Sequence, residues 1–113
     1  MAKTRSRLRD ANAAAVFSAM GDETRLRIVT RLANGDPCSV SQLTEGLEIT
    51  RQAVAKHLKV LKSVGLVHVT KAGRESLYEL VPDAFVDIKD YLDFISREWD
   101  DTLARLKTFV EGR

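Results

Sequence analysis

Residues 50–67 read "TRQAVAKHLKVLKSVGLV". From Thr50 to Arg74 the chain carries Arg51, Lys56, Lys59, Lys62, Lys71 and Arg74, and no Asp or Glu. Like charges at this density repel one another unless an anionic surface lies against them. On a helix the residues advance by about 100° each. With Gln52 as zero, Lys56 then falls at about +40°, Lys59 at about −20°, Ala55 at about −60°, Lys62 at about −80° and Arg51 at about −100°. Val54, Leu58 and Leu61 fall at about 200°, 240° and 180°, on the far side. One face suits a core and the other a partner.

The partner-side residues at the N-terminal end are Arg51, Gln52, Ala55 and Lys56. Arg and Gln have the bidentate geometry for guanine and adenine edges in the major groove, and Ala55 leaves room for close approach or for a thymine methyl. These four are the expected base contacts. Lys59 lies further along, where phosphates come within reach. A solvated charged face is the bland reading of such a helix. The unbroken run without acids, and the short helix before it, favour double-stranded DNA. His57 falls at about 140°, inside the apolar arc. It is expected to be satisfied by a backbone carbonyl rather than to touch a base.

Working outward, "SVSQLTEGLEI" precedes this helix. Ser39 and Gln42 stand at capping-box spacing, Gly46 interrupts after about two turns, and Thr50 caps the basic helix. A short helix, a tight turn and a longer basic helix form a helix-turn-helix. Ser41, Gln42 and Thr50 join Lys59 as expected contacts to the DNA backbone. After the helix, two β-prone arms, 66–72 and 75–81, flank "KAGR" and predict a hairpin bent at Gly73. Lys71 and Arg74 at its tip suit an electronegative minor groove, the role of a wing. Upstream, "RLRDANAAAVFSAM" predicts an Ala-rich helix stopped by Gly21. Asp22 is placed as the N-cap of "ETRLRIVTRLAN", with Gly35 and Pro37 beyond its end.

The C-terminal third predicts one long helix opened by Pro82 and Asp83. Phe85, Ile88, Leu92, Ile95, Trp99, Leu103, Leu106 and Val110 step by 3 or 4 residues, nearly a heptad seam. As one helix, residues 83–110 would span about 42 Å, against a radius of gyration of about 13 Å for a 100-residue domain. A second copy is expected to cover the seam. The expected dimer interface is Ala14, Val16 and Phe17 of the first helix with Leu92, Ile95, Trp99, Leu103, Leu106 and Val110 of the last. A kink near Asp90 or Ser96, folding the helix back within one subunit, is the competing arrangement.

Charge supports this division. The net charge is only +2, but residues 79–111 hold nine acids against four bases, and residues 1–9 hold Lys3, Arg5, Arg7 and Arg9 with no acid. The single cysteine, Cys38, allows no internal disulfide and no multi-cysteine metal cage. The basic N-terminus has no apolar h-region after it, and no apolar run reaches membrane-spanning length. A cytoplasmic protein without a membrane partner is expected. No nucleophile–base pair, phosphate loop or metal constellation points to an enzyme or a cofactor.

"GDETRLRIVTRLANG", "SVSQLTEGLEITRQAVAKHLKVLKSVGLV" and "VTKAGRESLYEL" together closely resemble the ArsR/SmtB family of winged-helix repressors. The resemblance covers about residues 13–81, and its most specific strings are Asp22–Ile28 and His57–Leu61. It implies a mainly α fold with a small β-hairpin: a winged helix-turn-helix with a long C-terminal dimerisation helix. It also implies a homodimer on a pseudo-palindromic operator, with Arg51, Gln52, Ala55 and Lys56 at the base-reading positions. Residues 1–113 are read as a single domain, with an N-terminal arm and dimer helix (1–21), the winged core (22–81) and the C-terminal dimer helix (82–113). Many members sense metals. Here the first helix of the motif offers Cys38 alone and the last helix has no His, so no metal site is expected. An effector, small molecule or protein, is expected to act by tilting the dimer. A metal-responsive repressor and a winged-helix interaction module that does not bind DNA are the competing functions.

Overall fold

The computed structural model describes residues 10–112. Its elements run α1 (Asp10–Met20), α2 (Glu23–Leu32), α3 (Val40–Glu45), α4 (Arg51–Ser63), β1 (Val67–Ala72), β2 (Glu75–Leu80) and α5 (Pro82–Glu111). The basic N-terminal residues Lys3, Arg5, Arg7 and Arg9 lie outside the described part.

Local chemistry explains where the helices begin. The side chains of Asp22, Ser39 and Thr50 accept the backbone N–H of Arg25, Gln42 and Ala53 at 3.0, 3.2 and 3.1 Å. Each satisfies an N–H that the helix itself leaves unpaired. At Ser39 the box is reciprocal, because Gln42 Oε1 accepts from the Ser39 N–H at 2.8 Å. The end of α4 is equally determined. Gly65 takes φ +81°, while Gly65 N donates to Lys62 O and Leu66 N donates to Leu61 O, both at 3.0 Å. This is a Schellman motif, and its accompanying apolar pair is Leu61 with Leu66, both fully buried.

The Asp22 cap has a consequence for acid stability. The Arg25 backbone N–H holds the Asp22 carboxyl below its usual range; partial burial opposes this, while the charges of Arg25 and His57 add to it. A carboxyl whose pKa is lower folded than unfolded stabilises the fold above the unfolded value. That share disappears as pH falls through the folded value. Asp22→Asn keeps a cap acceptor but has no proton to gain. The melting-temperature gap between wild type and Asp22→Asn is therefore expected to narrow between about pH 7 and about pH 3. A gap that stays constant or widens would contradict this account of the cap.

The core gathers α1 to α4 and the base of the hairpin around Ile28, Leu43, Val54, Leu58, Leu61 and Leu66. Burying each such side chain contributes about 1.5–3 kcal/mol before ordering costs. β1 and β2 pair antiparallel from Val67↔Leu80 to Ala72↔Glu75. Their two-residue turn is Gly73–Arg74, with φ +66° at Gly73 and no positive φ at any described non-glycine residue. Glycine first and a residue of negative φ second is the II′ pattern, whose twist matches that of the strands. Cys38 adds a bridge that the sequence reading does not anticipate: it exchanges backbone hydrogen bonds with Tyr78 at 3.0 and 2.8 Å. This ties the start of the helix-turn-helix to the wing.

α5 is one helix of 30 residues, so the kinked, folded-back arrangement is not adopted. It joins the body through Ala84, Phe85 and Ile88, and through Tyr91, whose ring lies 6.0 Å from that of Phe17 on α1. From Ser96 to Gly112 every residue but Thr102 is exposed. The protein accordingly measures 65 × 34 × 24 Å, with a radius of gyration of 18.1 Å. That is well above the roughly 13 Å of a compact domain of this size.

Candidate nucleic-acid interface

α4 divides as its sequence predicts. Val54, Leu58 and Leu61 have no exposed surface. Arg51, Gln52, Ala55, Lys56, Lys59 and Lys62 are all exposed. Val60, 37% exposed, shares their side of the helix and is an apolar element that a charge-based reading passes over. α3 packs against α4 and presents Ser41 and Gln42 to solvent. Gln42 spends its side-chain oxygen on the capping box, which leaves its amide N–H groups to donate. Thr50 uses an oxygen lone pair as the cap, and its hydroxyl hydrogen remains available to a phosphate. The N-terminal turn of α4 also directs unpaired backbone N–H groups and the positive end of the helix dipole outward.

Lys71 and Arg74 stand exposed at the end of the hairpin, held there by the tight II′ turn. Acids resume at Glu75. Lower on the hairpin, Glu79 faces His68 across the strands at 3.5 Å.

The expected dimer residues do not all sit alike. Leu92, Trp99, Leu103, Leu106 and Val110 are exposed, between 48% and 63%. Ile95 is half-buried and Ala14 is exposed. Val16 requires correction: at 5% exposure it belongs to the subunit's own core. Phe17 is half-buried and already occupied by Tyr91. In α1 the residues Ala13, Val16 and Ala19 turn inward together, and an Ala-rich helix gives too little contrast between its faces to reveal this from sequence. The expectation for His57 is corrected as well. Its Nδ1 lies 3.2 Å from Arg25 Nη1 instead of meeting a backbone carbonyl.

Among the described residues no group of three or more His, Cys, Asp or Glu could hold a metal ion, and no helix is long and apolar enough to cross a membrane. A cavity of about 530 Å³ opens between α2 and α3, lined by Leu26, Arg31, Leu43 and Leu47 among others.

Known proteins bear directly on this arrangement. A family model described as a helix-turn-helix domain matches residues 20–70, the span from the end of α1 into β1. The HTH-type transcriptional regulator Rv2034 of Mycobacterium tuberculosis is 42% identical over 96 residues, covering 85% of this chain and 86% of that protein. The solved structure of an ArsR-like transcriptional regulator from Rhodococcus sp. RHA1 superposes with a TM-score of 0.77 at 40% identity, covering 91% of this chain and 94% of that one. The HTH-type transcriptional repressor SmtB of Mycobacterium tuberculosis is 31% identical over 88 residues, 78% of this chain and 63% of its own length.

The chain belongs to the ArsR/SmtB family of transcriptional regulators. As an ArsR/SmtB regulator it has a winged helix-turn-helix in which α3 and α4 form the motif and β1–β2 the wing. Its body is mostly helical and α5 extends from it, as the sequence predicts.

Proposed function

We propose that this regulator is a repressor that grips double-stranded DNA inside the cell as a two-fold homodimer. The observation that carries the reading is the division of α4. Three apolar side chains are withdrawn completely, and six polar, basic or small ones are exposed, in a run free of acids from Thr50 to Arg74. In this reading Arg51, Gln52, Ala55 and Lys56 meet base edges in the major groove. Ser41, Gln42, Thr50 and Lys59 fix the helix on the phosphates. Lys71 and Arg74 enter or flank the minor groove. Two copies joined along α5 present two α4 helices about 34–36 Å apart, one turn of B-DNA, and so favour a pseudo-palindromic operator. Tilting the pair moves one α4 out of its groove, which is the proposed route by which an effector releases DNA.

Salt tests the reading. Neutralising phosphates releases counterions, so the logarithm of affinity should fall linearly with the logarithm of salt, at about −0.9 per phosphate contact. A dimer using the contacts named above is expected to show a slope steeper than about −5 by fluorescence anisotropy. A flat salt dependence, or no binding in dilute buffer, would favour a winged-helix module that engages proteins through α5.

A further inference from the structure

We propose that Arg25 and His57 form a clamp that sets the angle between the reading helix and the rest of the subunit, making both of them positioning residues for sequence-specific binding. Arg25 lies in the first turn of α2 and reaches three elements. Its backbone N–H donates to Asp22 at 3.0 Å, closing the α2 cap. Its Nε donates to Ala19 O at 2.7 Å, in the last turn of α1. Its Nη1 donates to His57 Nδ1 at 3.2 Å, on α4. An arginine has no acceptor atoms, so the imidazole must accept through Nδ1 and carry its proton on Nε2. Asp22 Oδ2 stands 3.9 Å from the same Nδ1, beyond hydrogen-bond distance.

The placement gives these bonds their meaning. His57 lies in the buried arc of α4, one residue from Lys56 and two from Ala55, and its side chain is only 23% accessible. Along α4 the apolar contacts of Val54, Leu58 and Leu61 are non-directional. They hold the helix down but let it roll or slide slightly. A hydrogen bond from a planar guanidinium is directional and opposes such movement. On its other side the same guanidinium is fixed to a carbonyl at the end of α1, where a cation is favoured by the helix dipole. Through one side chain, α4 is therefore registered against the α1–α2 corner. Phe17, two residues before Ala19, in turn meets Tyr91 on α5. The clamp thus lies between the proposed dimer helix and the proposed reading helix.

Base reading needs side-chain atoms held to within about 0.5 Å, whereas the electrostatic attraction to phosphates is independent of sequence and less directional. Losing the clamp should lower specific binding and spare non-specific binding. This inference rests on the proposed DNA-binding function. The test uses the full chain, a DNA site selected by the wild-type protein from a random pool, and a random duplex of equal length. His57→Phe keeps an aromatic ring and removes the acceptor. His57→Asn keeps an acceptor oxygen where Nδ1 stands. Arg25→Met removes the donor.

His57→Phe and Arg25→Met are each expected to reduce the ratio of specific to non-specific affinity about tenfold. His57→Asn should stay within about threefold of wild type. The double variant should be no worse than the poorer single one, because the two side chains act as a unit. Since Arg25→Met also removes the bond to Ala19, His57→Phe decides the matter if the arginine variant fails to fold. The clamp is refuted if His57→Phe leaves the ratio unchanged, or if both affinities fall together, as simple destabilisation would cause. If the wild-type protein selects no DNA at all, the functional proposal is the one that fails. A dimer in which His57→Phe matches wild type on its selected site removes the clamp alone.

Discussion

Leu103→Glu is expected to leave a folded subunit that neither dimerises nor holds an operator with two half-sites. Leu103 is 55% exposed in the single subunit and lies beyond the last residue of α5 that joins the body. A surface substitution of this kind changes subunit stability by about 0.5 kcal/mol or less. Across a two-fold seam the same carboxylate would be buried against its own copy, with Leu106 and Trp99 nearby. Burial of an unpaired charge costs several kcal/mol, enough to separate a modest interface. A monomer keeps one reading helix and forfeits the second, which contributes about 10²- to 10⁴-fold through effective concentration. Light scattering should give the mass of one chain, and anisotropy should show operator affinity reduced by at least about 100-fold. The far half of α5, deprived of its partner, should also lose helicity, because short isolated helices are marginal in water. A variant that remains a dimer with unchanged affinity would show that the seam is not where the copies meet.

The second large effect separates two kinds of contact on one helix. Gln52→Ala removes a side chain that can satisfy a base edge from two sides, a contact that discriminates by about 1–3 kcal/mol. It should relax the sequence preference at one position of each half-site. Lys59→Ala removes an exposed point charge that is proposed to meet a phosphate. It should weaken binding to all sequences alike and flatten the dimer's salt slope by about two, one contact from each subunit. Arg51→Ala is expected to behave like Gln52→Ala at a neighbouring base. Parallel selections with the variants would show this directly. Indistinguishable behaviour of the Gln52 and Lys59 variants would mean that the two roles on this face of α4 have been assigned wrongly.

Much of the fold is legible because its determinants are local. Asp22, Ser39 and Thr50 each cap a helix from a position three residues before the N–H they accept, a spacing visible in the sequence. The apolar and basic sides of α4 follow from the helical repeat, and the hairpin bent at Gly73 follows from a glycine between β-prone arms. The seam on α5 follows from steps of three and four. The remainder depends on distant pairs. Arg25 and His57 are 32 residues apart, and no periodicity joins them. Cys38 and Tyr78 pair through backbone atoms, to which side-chain identity gives no clue. The inward turn of Val16 depends on how α1 docks, and a helix of small residues fits several ways. Of the candidate site, the exposed chemistry is legible and the clamp that aims it is not.

Selection of bound duplexes from a random pool tests the central claim most directly. If the acid-free face of α4 reads DNA from a two-fold dimer, the enriched sites should contain two inverted half-sites with centres about 10 base pairs apart. Enrichment of a single half-site, of direct repeats, or of no sequence at all would contradict it.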